Sequence, residues 1–75
     1  MIAKLPILSG REVVKIFEAF GWEKARQSGS HIILVKPGEI ASLSVPDHKE
    51  IAAGKLRSLM KAAGLSAEEF IKMMR

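Results

Sequence analysis

Trp22-Glu23-Lys24-Ala25-Arg26-Gln27, Ser28-Gly29-Ser30, His31-Ile32-Ile33-Leu34-Val35-Lys36, Pro37-Gly38-Glu39 and the run from Ile40 to Val45 follow one another through the middle of this chain. Two clusters of turn-forming residues cut the stretch into three runs of strand-like composition. The spacing predicts strands over Trp22 to Gln27, His31 to Lys36 and Ile40 to Val45. Links this short leave no room for a crossover, so neighbouring strands must run antiparallel. In the middle run Ile32 and Leu34 point to one side, and His31, Ile33 and Val35 to the other. Both sides therefore carry apolar groups. One face must cover helices, and the other is a candidate docking surface for a second protein.

The flanks supply those helices. Before the strands, Ser9-Gly10-Arg11-Glu12 has the form of a capping box, in which the serine hydroxyl accepts from the Glu12 amide and the Glu12 carboxylate from the Ser9 amide. A helix is expected from Gly10, with Val13, Ile16, Phe17 and Phe20 as its buried stripe, Arg11, Lys15 and Glu18 off it, and Gly21 as its left-handed stop. After the strands, Pro46 to Ile51 is a polar connection. Leu56, Leu59, Met60 and Ala63 then recur at helical spacing up to Gly64, with Arg57, Ser58 and Lys61 on the opposite side. A second capping box, Ser66-Ala67-Glu68-Glu69, opens a short terminal helix with Phe70, Ile71 and Met74 available for burial. The expected fold class is α+β: helix, three-stranded antiparallel sheet, helix and short C-terminal helix. Double-stranded-RNA-binding domains share this order.

Length and composition narrow the possible chemistry. Seventy-five residues, 48% hydrophobic and 27% charged, suit one small globular domain spanning 1–75. A chain of about 60 residues buries only about 60% of its unfolded surface, so a large enclosed substrate cavity is not expected. The lack of cysteine excludes disulfides, thiolate metal sites and a cysteine nucleophile. No apolar run reaches the ~20 residues of a membrane span, and Met1 to Leu8 lacks a signal-peptide pattern, so a cytoplasmic protein is expected. Twelve Lys and Arg against eight Asp and Glu give a net charge of +4, which favours an anionic partner such as nucleic acid.

His31 and His48 are the side chains that titrate near neutrality by default. His31 follows Gly29-Ser30 at the start of a strand, where a hairpin rim keeps a ring accessible and suits a general base. It can equally be a solvent-exposed strand-end histidine with no role. His48, in Val45-Pro46-Asp47-His48, can be a proton donor, a phosphate contact or a hydrogen-bonding loop residue. A two-histidine metal site finds no carboxylate at ligand spacing. Lys24 and Arg26 are expected on a shared face of the first strand. Lys49, Lys55, Arg57 and Lys61 surround the second main helix, whose N-terminus near Ala53-Gly54-Lys55 can seat a phosphate. The bland reading of these charges is a solvated helix face. A nucleophile elbow and a P-loop are both lacking.

Several segments together resemble the HicA family of bacterial and archaeal mRNA interferase toxins. They are Leu5-Pro6 with Ser9-Gly10-Arg11-Glu12, Phe20-Gly21-Trp22, Arg26-Gln27-Ser28-Gly29-Ser30-His31, Val45-Pro46-Asp47-His48, Gly54-Lys55-Leu56-Arg57-Ser58-Leu59 and Ala63-Gly64-Leu65-Ser66. Trp22 stands where the family usually has Phe, and Asp47 and Lys49 occupy variable places. The resemblance implies an endoribonuclease with a double-stranded-RNA-binding-like fold, neutralised by a HicB antitoxin, with the histidine of Gly-Ser-His, here His31, as the catalytic one. RNA carries its own nucleophile, the 2′-hydroxyl, so such an enzyme needs a base, cations and optionally an acid, with no metal or cofactor. On that scheme His31 is the base, Lys24 or Arg26 the electrostatic stabiliser of the phosphate, and His48 an acid or a loop residue. Lys24, Arg26, Ser30, Lys49, Lys55, Arg57 and Lys61 form the RNA-contacting set, and Ile33 and Val35 the antitoxin surface. Two rival readings are a non-catalytic RNA-binding module and a pure protein-interaction domain.

Overall fold

The computed structural model describes residues 5–74. Along them run α1 (Gly10–Ala19), β1 (Glu23–Ser28), β2 (His31–Val35), β3 (Leu43–Pro46), α2 (Ala53–Ala63) and α3 (Ala67–Met73). This is the expected α+β order. Ser9 caps α1 through both arms of the box: its Oγ accepts from the Glu12 amide at 3.2 Å, and its own amide donates to Glu12 Oε1 at 2.9 Å. Ser66 and Glu69 repeat the arrangement at α3, at 3.1 and 3.0 Å. In both boxes the hydrogen bonds to serine hold the glutamate carboxyl below its ordinary range, the bond from the serine amide being the larger cause. Gly21 and Gly64 take positive φ angles of 97° and 74° just past α1 and α2, where a side chain would be strained.

The sheet has the order β1-β2-β3, with both neighbouring pairs antiparallel. Leu34 and Ile32 on β2 lie opposite Leu43 and Val45 on β3, and all four are buried. They meet Val13, Val14, Ile16 and Phe17 of α1, Leu56, Leu59 and Met60 of α2, and Phe70 of α3 in one core. The helices therefore share one face of the sheet. Phe70 holds the terminal helix in place by an edge-to-face contact with Phe17, with ring centroids 5.5 Å apart. Such a pair adds about 0.5–1.5 kcal/mol beyond the burial of its area. Charged side chains are missing from the buried set among the described residues, so the ionisable groups described all lie towards the surface. No described helix is long and apolar enough to cross a membrane.

Several local expectations shift. The first strand begins at Glu23, because Trp22 turns inward and is only 2% exposed. Its indole Nε1 is buried with no hydrogen-bond partner among the described residues, a state that costs about 1–3 kcal/mol and that phenylalanine would avoid. The third strand is shorter than Ile40 to Val45. Its pairing with β2 starts at Leu43, while Ile40 sits exposed in the preceding loop, beyond the turn that Glu39 N–H closes onto Lys36 O. Phe20 and Ile71 are half-buried, whereas Met74, available for burial on its spacing, is exposed.

The largest correction concerns β1. Lys24 pairs with Leu34 but Arg26 pairs with Ile33, so Ala25 is an extra residue that forms a bulge. A bulge of one residue reverses the inside-outside alternation. Lys24 consequently turns to the helix side with Leu34, and Arg26 to the open side with Ile33. The two cations do not share a face.

Candidate active site at the end of the sheet

Ser28, His31 and Pro46 pair across the three strands at one end of the sheet. One residue from the buried Ile32 and three from the buried Leu34, His31 lies on the face that the helices leave uncovered, and it is exposed. Ile33 and Val35 follow it on that face, half-buried and 40% exposed respectively, with Arg26 across from Ile33. The open face thus joins an accessible imidazole, an arginine and an apolar strip. Among the described residues the helices all pack on the opposite face, so His31, Arg26 and Val35 stay accessible to a polyanion or a protein.

Three segments converge at this end. The turn Ser28-Gly29-Ser30 is held to the start of the loop after β3 by the Asp47 amide, which donates to Ser30 O at 2.7 Å. That loop is held to the start of α1 by the Gly10 amide, which donates to His48 O at 2.9 Å. The Asp47 carboxylate accepts from Arg11 Nε and from Gln27 Nε2, both at 3.3 Å. Gln27 Nε2 also reaches Gly29 O at 3.4 Å. Ser30, His48 and Lys49 are exposed here, the last two lining a shallow depression with Ser9, Arg11 and Asp47. Gly10 permits the convergence. A Cβ at that position would collide with the Pro46 carbonyl oxygen and lie 3.0 Å from the Pro46 carbonyl carbon.

The other cations lie elsewhere. Lys24 lines a groove between α1 and β1 with Arg11, Lys15 and Glu18, on the helix side of the sheet. Lys55, Arg57 and Lys61 are exposed on α2, which packs behind the sheet, away from the His31 face. Arg57 and Lys61 are one turn apart and share a flank, while Lys55 falls on the other side of the buried stripe. The sequence alone suggests one cluster of Lys49, Lys55, Arg57 and Lys61 around the second main helix, whereas the fold sets Lys49 beside His48 at the end of the sheet and the other three on α2. The sequence alone also leaves Arg11, Gln27 and Asp47 out of the site. Only the position of Asp47 beside His48 hinted at a role, since its partners are 20 and 36 residues away.

With this geometry in hand, comparison with known proteins gives a consistent result. The family model of the HicA toxin of bacterial toxin-antitoxin systems matches residues 10–65. Among solved structures, a chain of a toxin-antitoxin complex from Streptococcus pneumoniae is similar, at 37% identity and a TM-score of 0.70, over 77% of this chain and 98% of that one. No curated protein matches. Fold and comparison together define a toxin of a toxin-antitoxin system. The chain belongs to the HicA toxin family.

Proposed function

We propose that this toxin is a metal-independent endoribonuclease that cuts mRNA in the cytoplasm and uses His31 as its general base. The observation that carries the proposal is the exposed position of His31 at the end of an uncovered sheet face, beside the residues that resemble the family's Gly-Ser-His motif. The His31 imidazole takes the proton of a ribose 2′-hydroxyl. The 2′-oxygen attacks the adjacent phosphorus, the bond from phosphorus to the 5′-oxygen breaks, and a 2′,3′-cyclic phosphate and a 5′-hydroxyl result. The leaving oxygen gains a proton from His48 or from water. Arg26 shares the open face with His31 and supports the charge that builds on the phosphate, a task for which Lys24 is turned the wrong way. Ser30 and Lys49 contact the strand near the scissile bond. Lys55, Arg57 and Lys61 act at longer range, drawing RNA toward the domain.

The same open face suits inhibition. A HicB-type antitoxin that lies over Ile33 and Val35 hides His31 as well, so binding the partner and blocking the substrate are one event. The similar chain from Streptococcus pneumoniae comes from a toxin-antitoxin complex, which supports a protein partner of this kind.

The test is a comparison of wild-type and His31→Ala protein on a defined RNA, with cleavage and binding both measured. Removal of a general base costs about 10²–10⁴-fold in rate, and affinity should be retained. Equal cleavage by the two proteins would refute the assignment. Binding by both without cleavage by either would make the domain an RNA-binding module.

A further inference from the structure

Asp47 holds more of the site together than its place in a loop suggests. Its backbone amide donates to Ser30 O, and its carboxylate takes one donor from α1, Arg11 Nε, and one from β1, Gln27 Nε2. The Asp47 side chain is 20% exposed, against 82% for Arg11, so the carboxylate is the enclosed member of the ion pair and the arginine the solvated one. Gln27 Nε2 meets both the Asp47 carboxylate and the carbonyl of Gly29. Asp47 therefore grips the turn before His31 twice, through its own amide at Ser30 and through Gln27 at Gly29.

The turn needs such a grip. Gly29 has a φ of 59° and no neighbouring atom within 4 Å of where a Cβ would stand, so packing does not constrain it. Its flanking residues are all exposed, and β1 is exposed throughout. A glycine hinge at an exposed hairpin tip has many conformations open to it. Each of the side-chain bonds is long, and each alone contributes little, but two of them share the half-buried Asp47 carboxylate, and Gln27 links that carboxylate to the Gly29 carbonyl, next to the Ser30 carbonyl that the Asp47 amide holds.

We infer that Asp47 is a positioning residue, which fixes the Ser28-Gly29-Ser30 turn through Gln27 and so sets where the His31 ring stands. The catalytic part of this inference rests on the endoribonuclease reading above; the ordering of the turn does not. Positioning counts for rate, because a displacement of about 1 Å at a reacting group can cost about 10²-fold.

The experiment uses the full chain and three variants, Asp47→Ala, Asp47→Asn and Gln27→Ala, each checked for an intact fold by circular dichroism. NMR relaxation reads the backbone order of Gly29 and Ser30. In the wild type these amides should be nearly as ordered as the strands, with S² near about 0.8, falling below about 0.6 in Asp47→Ala and Gln27→Ala. Asp47→Asn keeps a carbonyl acceptor for Gln27 and should restore most of the order. On RNA, kcat should drop by about tenfold or more in Asp47→Ala and Gln27→Ala with KM within about twofold, and the double variant should be no worse than the poorer single one. Unchanged order at Gly29 and Ser30 in Asp47→Ala overturns the inference whatever the activity, and so does a loose turn combined with wild-type kcat. If His31→Ala cleaves as well as wild type, the endoribonuclease reading fails instead, and the order measurement alone decides whether Asp47 holds the turn.

Discussion

Replacing Gly10 by alanine sets two physical effects against each other. Helix propensity favours alanine over glycine by about 0.8–1.0 kcal/mol in a helix interior, and Gly10 is the first residue of α1 with no positive φ to protect. Propensity alone therefore predicts a more stable protein. Space predicts the reverse. The added methyl would lie 3.0 Å from the Pro46 carbonyl carbon and 3.2 Å from Asp47 Cα, and closer still to the Pro46 oxygen, all of them backbone atoms. Restoring carbon contacts to about 3.5 Å means pulling α1 off the end of β3 by about half an ångström or more. That movement stretches the 2.9 Å bond from Gly10 N–H to His48 O. Overpacking costs about 1–3 kcal/mol and the weakened bond about 0.5–1.5 kcal/mol. The net expectation is a loss of about 2 kcal/mol, or a fall in Tm of about 8–16 °C for a domain of this size. Gly54→Ala is the control, since nothing lies within 4 Å of that site in α2, and it should be neutral or stabilise by up to about 1 kcal/mol. Thermal unfolding followed by circular dichroism gives both signs. A Gly10→Ala protein as stable as wild type, or more so, would refute the claim that close backbone approach joins α1 to the loop of His48.

Four further outcomes follow from the packing, the caps and the open sheet face. Trp22→Phe should stay within about 1 kcal/mol of wild type, because release of the unpartnered indole N–H offsets the lost ring volume, whereas Phe17→Ala should cost about 3–5 kcal/mol in urea unfolding. The Glu12 and Glu69 carboxyls are held below the ordinary value of 4.5, so their stabilisation is fully present above that pH and is lost as pH falls through the lowered folded-state values. Tm measured against pH should accordingly drop below about pH 4.5, and Ser9→Ala should flatten part of that drop; an unchanged profile would remove the caps from the explanation. Val35→Asp places a charge on an exposed position of the open face, so on the proposed antitoxin surface it should weaken capture of a HicB-type antitoxin by at least about tenfold at an unchanged Tm. Undiminished capture would move the interface to another surface.

The parts of the fold legible in the sequence are those set by local chemistry. Ser9 with Glu12 and Ser66 with Glu69 mark two helix starts because both hydrogen bonds of a capping box close within four residues. The alternation from His31 to Val35 groups Ile33 and Val35 with His31 on one face and Ile32 with Leu34 on the other, because the side-chain period of a strand is two. The parts that were not legible depend on partners far along the chain. Nothing in Glu23-Lys24-Ala25-Arg26 signals that Ala25 will bulge, and that one residue decides which of Lys24 and Arg26 accompanies His31. The end of β3 shows the same limit, since Ile40 has strand-like composition but no opposing residue on β2. Asp47 gathers donors from α1 and β1, a juxtaposition that only the folded chain creates.

The chemistry assigned to His31 is tested most directly by the ends of the RNA it produces. A base that deprotonates the 2′-hydroxyl leaves a 2′,3′-cyclic phosphate on the upstream fragment and a 5′-hydroxyl on the downstream one. Wild-type protein acting on an end-labelled RNA should give these termini, in the presence of a chelator as in its absence, and His31→Ala should give neither fragment. Fragments that instead carry a 5′-phosphate and a free 3′-hydroxyl would mean that water is the nucleophile, and would contradict the mechanism.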